Sequence, residues 1–126
     1  MITENEISSI VFDSALRVHK ALGPGLLESA YEECLFYELN KTGLLIERQK
    51  PLPLVYEGIN MKVGYRVDII IENKVILELK AVEALNDVHL AQILTYLKLS
   101  ECKLGMLINF NVSLIKNGIR RVVNNL

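Results

Sequence analysis

The chain has 126 residues, of which 51% are hydrophobic, so it can bury the core of one domain spanning residues 1–126. Its 14 basic and 15 acidic residues give a net charge of −1, which argues against a protein that binds nucleic acid mainly through a broad basic surface. No apolar run approaches the roughly 20 residues that cross a bilayer, and the first residues lack the pattern of a signal peptide. We therefore expect a cytoplasmic protein with no membrane partner.

Helical patterns occupy the first third of the chain. Thr3 and Glu6 have the spacing of a capping box, and apolar residues follow at helical spacing to about residue 22. The helix should end at the Gly-Pro-Gly of residues 23–25, since proline cannot continue it. A second helix is predicted over about 27–40.

Strand patterns begin at residue 44. The predicted strands are 44–46, 52–56, 61–71, 75–82, 103–110 and 119–123. A third helix is predicted over about 87–99, with Asn86 or Asp87 as its cap. Cys34 and Cys102 are far apart, and we expect free thiols rather than a zinc site. The order of elements predicts an α/β fold with a central mixed sheet flanked by helices.

The hairpin over residues 65–82 carries charges within very apolar sequence. If its turn is centred on Asn73, Asp68 lies opposite Glu78, and directly opposed residues point to the same side of a sheet. Lys80 should join them there, opposite Arg66. The residues expected on the other side are all apolar: Val67, Ile69, Ile71, Val75, Leu77, Leu79 and Ala81.

Three interpretations of the charged side remain open at this point. It could be a solvated outer face, or a dimer contact in which Arg66 and Lys80 pair with carboxylates of a second copy. It could also be a metal site, because adjacent carboxylates raise each other's pKa unless a cation lies between them. Magnesium takes such ligands together with water and substrate phosphate, and Lys80 could then orient a water molecule. The third interpretation predicts phosphodiester hydrolysis and a coupled titration of Asp68 and Glu78.

Further candidate residues lie on the helices and near the end of the chain. Glu28 falls in the first turn of the second helix, where a carboxylate is also favourable to the helix dipole. Gln92 and Tyr96 are one helical turn apart and share a face. The densest basic group, which could contact phosphate or serve only as a solubilising edge, consists of Lys116, Arg120 and Arg121.

Taken in chain order, these residues resemble the signature of the PD-(D/E)XK nuclease superfamily, notably its RecB-like and λ-exonuclease-like branches. The matching residues are Glu28, Asp68, Glu78, Leu79, Lys80, Gln92 and Tyr96. More narrowly, the chain resembles the GxxExxY family from about residue 7 to 123. Gly25, Glu28 and Tyr31 supply the motif for which that family is named.

The resemblance implies a restriction-endonuclease-like core and a nuclease that depends on Mg²⁺ or Mn²⁺. Our first hypothesis is that it acts on DNA in preference to RNA. The resemblance further implies that Asp68 and Glu78 bind the metal directly, with the Leu79 carbonyl and Glu28 as further ligands. Lys80 would position the attacking water.

The resemblance also implies that Gln92 and Tyr96 hold Lys80 or the substrate strand. Some members of the superfamily keep the fold without the chemistry, so the alternative is a catalytically silent module that binds nucleic acid or a protein partner. The near-zero net charge and the apolar strands are also compatible with a homodimer.

Overall fold

The computed structural model describes residues 1–126, and its elements follow the predicted order. They are α1 (Glu4–Leu22), α2 (Glu28–Asn40), β1 (Ile46–Tyr56), β2 (Ile59–Ile71), β3 (Val75–Lys80), α3 (Asp87–Ser100), β4 (Leu104–Asn109), a 3-10 turn (Ile115–Asn117) and β5 (Ile119–Val123). None of the helices is both long enough and apolar enough to cross a membrane. Both cysteines are free, as expected.

The five strands form one mixed sheet in the order β1-β2-β3-β4-β5. Neighbouring strands are antiparallel except β3 and β4, which are parallel because α3 carries the chain back along the sheet. A larger core lies between the sheet and helices α1 and α2, and a smaller one lies under α3. The fold is therefore the predicted α/β arrangement, consistent with a restriction-endonuclease-like core.

Helix α1 begins and ends where the sequence predicts. The Thr3 hydroxyl accepts a hydrogen bond from the Glu6 N–H, and the Glu6 carboxylate accepts one from the Thr3 N–H. At the other end, the Gly23 N–H donates to the His19 carbonyl, and Gly23 has a positive φ of 67°. Such a φ suits glycine, which explains why the helix stops there.

Tyr31 ties the start of α2 to the sheet. It is fully buried, and its ring stacks on Phe110 with the centroids 4.5 Å apart. Its hydroxyl donates to the Gly23 carbonyl at 2.6 Å and accepts from the Leu26 N–H at 3.1 Å. The tyrosine of the GxxExxY motif therefore fixes the loop between the two helices and sets the position of α2.

Strand β1 is continuous, so the prediction of two short strands separated by a polar stretch is wrong. Pro51 and Pro53 both lie within it. Proline has no N–H to donate, but β1 is an edge strand and pairs only with β2, so its outer side needs no donors.

The predicted centre of the β2–β3 turn is confirmed. The pairs Ile69–Leu77 and Ile71–Val75 have the expected register, and Asn73 in the turn has a positive φ of 53°. One expectation is wrong, because Val67 packs in the core under α3 and not with Ile69 in the larger core. Regular alternation would place the side chains of Val67 and Ile69 on the same side of the sheet. The alternation of β2 side chains between the two sides is therefore interrupted at Asp68.

Candidate active site

Strands β2 and β3 separate immediately before the charged residues. Moving away from the turn, the final residue pair between the two strands is Ile69–Leu77. Beyond that pair, β2 is paired only with β1, and β3 is paired only with β4. Arg66 pairs with Pro51 of β1, so its predicted position opposite Lys80 is wrong. The two strands therefore form a fork, and Asp68 and Glu78 stand at its apex.

The two carboxylates fill the fork and replace backbone pairing. The Asp68 N–H donates to Glu78 Oε1 at 3.2 Å, and the Leu79 N–H donates to Asp68 Oδ2 at 2.8 Å. In a continuing antiparallel ladder, alternate residues of each strand would instead exchange backbone N–H to carbonyl hydrogen bonds with the opposite strand. The side chains thus satisfy the backbone at the point where the sheet opens.

Glu78 is buried, with only 5% of its surface exposed. The interpretation of the charged side as a solvated outer face is therefore wrong for this residue. The same burial removes Glu78 from any surface on which a second copy could pair with it.

Burial also changes the acidity of the pair. It raises the pKa of Glu78 to about 9, and the charge of Asp68 contributes in the same direction. The pKa of Asp68 is raised by burial as well, against the opposing effect of the hydrogen bond from the Leu79 N–H. The two carboxyls are therefore coupled, as the sequence led us to expect, and their interaction favours retention of a proton by the pair.

Lys80 and Tyr96 complete the surroundings of the pair. Lys80 is half-buried at the end of β3, and its charge opposes the rise in the pKa of both carboxyls, which burial dominates. Tyr96 reaches the site from α3 and is itself buried. Burial raises the pKa of its hydroxyl, and the negative charges of Glu78 and Asp68 contribute in the same direction.

The chemistry of the donors fits a hard divalent cation. The carboxylates of the buried Glu78 and the half-buried Asp68 are adjacent, and neither forms an ion pair with Lys80. No group of three or more His, Cys, Asp or Glu side chains is arranged to hold a metal ion. Magnesium nevertheless commonly takes only one or two carboxylates, with water and substrate phosphate as its other ligands.

A family model described as the PD-(D/E)XK nuclease superfamily matches residues 5–122. The chain belongs to the PD-(D/E)XK nuclease superfamily. No curated protein and no solved structure matches it. The sequence predicts that the acidic residue and the acidic-x-lysine group of that name are Asp68, Glu78 and Lys80. The structure brings these three residues together around the fork.

The helical carboxylate nearest the fork is not the predicted one. Glu28 is the first residue of α2 and is exposed, with no hydrogen bond or ion pair. Glu32, one turn later, is buried and accepts hydrogen bonds from Arg48 at 2.8 Å and from the Gln49 side chain at 2.7 Å. Its charge also raises the pKa of Asp68, after the larger effect of burial. The spacing of four residues from Glu28 was the available signal, since it places both glutamates on one helical face.

Gln49 joins Glu32 to the fork, and sequence reasoning missed it. Its side-chain amide donates to Glu32 and, at 3.4 Å, to Asp68 Oδ1. It lies between the paired residues Arg48 and Lys50 of β1, opposite Asp68, and has a positive φ of 49°. A non-glycine residue with this φ is uncommon and often marks a functional position.

Replacing Gln49 with glutamate should destabilise the protein near neutral pH. The change is nearly isosteric, but it removes a donor and places a carboxylate beside Glu32 and Asp68. We expect a loss of about 1–3 kcal/mol in the free energy of unfolding at about pH 7, and a smaller loss at about pH 4. Urea denaturation at the two pH values measures this.

The matched control is Asn60→Asp on the exposed hairpin, which should change stability by less than about 0.5 kcal/mol. Equal effects of the two substitutions would show that Gln49 does not hold the carboxylates.

Asn109 is a second residue that sequence reasoning did not assign. It is buried at the end of β4, opposite Lys80. Its side chain accepts from the Val82 N–H at 3.1 Å and donates to the Val82 carbonyl at 2.9 Å. Asn109 therefore fixes the chain immediately after Lys80. A polar residue closing an apolar strand was the signal for it.

The remaining predicted residues are dispersed. Gln92 is exposed on α3, and its side chain makes no hydrogen bond to the residues of the fork. Lys116 is exposed in the 3-10 turn, and Arg121 donates to Asn5 of α1. Arg120 pairs with Leu107, which itself pairs with Glu78, so Arg120 is in the same cross-strand row as the fork. Of the basic group, only Arg120 is shown to point to the same side of the sheet as Glu78.

Proposed function

We propose that the protein is a metal-dependent nuclease that hydrolyses phosphodiester bonds, with DNA preferred over RNA. The observation that carries the proposal is the pairing of the buried Glu78 with the half-buried Asp68 at the fork, close to Lys80. Membership of the PD-(D/E)XK nuclease superfamily supports it. We assign the chain more narrowly to the GxxExxY family and its RecB-like and λ-exonuclease-like relatives.

Asp68 and Glu78 would hold Mg²⁺ or Mn²⁺, with the Leu79 carbonyl as a further ligand. When bound, the ion supplies positive charge that activates water and stabilises charge developing on the phosphate. Glu78 must first release its proton, since its pKa is raised to about 9. The Leu79 N–H and Gln49 hold the Asp68 carboxylate in place.

Other side chains act around that centre. Lys80 orients the attacking water and neutralises charge in the transition state. Tyr96 excludes bulk water from Glu78, and the exposed Gln92 contacts the substrate strand. Glu32, linked to Asp68 through Gln49, is the carboxylate of α2 that we place beside the ion. Glu28 could reach the ion only through water.

The direct test is cleavage of labelled DNA and RNA, single- and double-stranded, with Mg²⁺, Mn²⁺ or a chelator. The wild type should cut at least one substrate only with metal, and Glu78→Ala and Lys80→Ala should abolish the cutting. Lys98→Ala, at an exposed position of α3, is the matched control and should retain it. Absence of both cleavage and metal binding under all conditions would instead identify a silent module that binds nucleic acid or protein.

Arg120 should contribute more to substrate binding than Arg121. Arg120 is two strands from Glu78, or roughly 10 Å, and borders a cavity of about 220 Å³ together with Asn109 and Asn117. Replacing it with alanine should weaken nucleic-acid binding several-fold and lower the slope of log K against log salt by about 1. Fluorescence anisotropy over a salt series measures both quantities. An equal or larger effect of Arg121→Ala would place the binding surface on the other side of the sheet.

A further inference from the structure

The hairpin formed by the outer halves of β1 and β2 extends beyond the rest of the sheet with an uncovered apolar side. Tyr56, Ile59 and Val63 are 62 to 63% exposed, and Tyr65 is 40% exposed. Two-stranded hairpins are marginally stable in water unless one face is packed against something. The hairpin therefore presents apolar surface that the single chain leaves in contact with solvent.

The sequence of the hairpin is that of a strand pair buried on one side. From Ile59 to Val67, β2 alternates strictly between apolar or tyrosine residues and other residues. The register shifts between the pairs Pro53–Gly64 and Val55–Asn60. From one pair to the next, β1 advances by two residues while β2 advances by four. Both steps are even, so the facing of the side chains is preserved. One side of the hairpin therefore carries an apolar stripe, consisting of Leu54, Tyr56, Ile59, Met61, Val63 and Tyr65.

The apolar stripe continues the core under α3. Leu52 and Val67, at its base, are buried in that core, and the Tyr65 ring lies 5.7 Å from the ring of Tyr96. Helix α3 covers the sheet only as far as this contact. Beyond it, the same side of the same two strands lacks a covering layer.

The charges near the apolar stripe and the prolines on the edge of β1 limit the kinds of partner that could cover the stripe. The cations Lys62 and Arg66 alternate with the stripe residues and so face the opposite side, which leaves the stripe without groups that would bind phosphate. Pro51 and Pro53 interrupt the donors on the free edge of β1, which discourages the addition of another strand there. An uncharged apolar face can pack against the same face of a second copy. Homodimer interfaces are also more apolar than the interfaces of non-obligate complexes.

The available area reaches what a specific dimer needs. Four exposed side chains, two of them tyrosines, offer roughly 500 Å² per copy, so that two copies would bury about 1,000 Å² before any rim residue is counted. We infer that the apolar stripe is the interface of a homodimer in which two hairpins pack face to face. This inference does not depend on the proposed function.

The test is sedimentation equilibrium of the full chain from about 1 to about 200 µM, without nucleic acid and with a chelator. The wild type should form dimers, and Ile59→Ser combined with Val63→Ser should raise the dissociation constant at least about tenfold. The matched control is Val55→Ser, which is half-exposed on the opposite side of the hairpin and should leave the dimer intact. Raising the salt concentration should not weaken the dimer, because the contact is apolar.

Three results would overturn the inference. These are a monomer at every concentration, equal weakening by Val55→Ser, and dissociation of the dimer by salt. A monomeric wild type whose nucleic-acid binding is lost in the Ile59/Val63 variant would assign the stripe to the substrate instead. Circular dichroism checks that each variant is folded, and failure of the dimer leaves the cleavage test unaffected.

Discussion

Replacing Glu78 with glutamine should stabilise the metal-free protein at about pH 8 while abolishing cleavage. The glutamine can still accept the hydrogen bond from the Asp68 N–H, because its side-chain carbonyl takes the place of the carboxylate oxygen. What it loses is the ability to ionise. A substitution that improves folding and removes activity is typical of a group held in an unfavourable environment for function.

The raised pKa of Glu78 explains why Glu78→Gln should increase the free energy of unfolding. In the unfolded chain Glu78 ionises near its ordinary value of 4.5, whereas burial raises the pKa in the folded chain to about 9. Between these values the folded state binds more protons than the unfolded state, so wild-type stability falls as pH rises. Glu78→Gln removes this dependence, and its advantage should grow across the window to about 2 kcal/mol or more.

Chemical denaturation at about pH 5 and about pH 8, with a chelator present, measures the effect. The two proteins should be similar at the lower pH and differ at the higher one. Added Mg²⁺ should then stabilise the wild type alone, since a ligand that binds only the folded state raises its stability. Parallel stability curves for the two proteins across the whole range would show that Glu78 is not the group that titrates.

Replacing Lys80 with alanine should separate catalysis from metal binding. We expect the single-turnover rate of cleavage to fall at least about 100-fold, as when a group that stabilises transition-state charge is removed. The affinity for Mg²⁺ should change little, because two effects oppose each other. Loss of the ammonium group removes repulsion of the ion, but it also lets the pKa of Glu78, already raised by burial, rise further.

Isothermal titration calorimetry and single-turnover assays of the same preparation provide the comparison. Lys80→Arg should be intermediate, since it keeps the charge but not the compact ammonium group. Lys98→Ala is again the control, since it removes an exposed lysine that has no part in the proposed site. Loss of Mg²⁺ affinity in parallel with the rate would place Lys80 in the structure of the metal site rather than in the chemical step.

The register of the hairpin could be predicted because it depends on local information. Turn residues around Asn73 fix the pairing, and the pairing brings Asp68 to Glu78. The cap of α1 is likewise encoded within four residues, by Thr3 and Glu6. The same hairpin pattern singled out Lys80, and helical spacing singled out Tyr96; the electrostatic interaction of each with the carboxylates is consistent with a place beside them.

The missed features depend on packing between distant segments. Gln49 reaches Asp68 across 19 positions of sequence and through a left-handed backbone conformation that no neighbouring glycine or proline announces. The choice between Glu28 and Glu32 depends on how α2 is rotated against β1, which the helical pattern alone does not specify. Strand β1 can continue through two prolines because it lies at the edge of the sheet, and local sequence does not specify that position.

The fork has a consequence for how the protein can be observed. The backbone N–H groups of Asp68 and Leu79 donate to the side-chain carboxylates of Glu78 and Asp68, respectively. Their nuclear magnetic resonance shifts and hydrogen-exchange rates should therefore respond when those carboxylates lose a proton or take up an ion. Two backbone amides thus serve as built-in reporters of the state of the site, readable in the unmodified protein without substrate or probe.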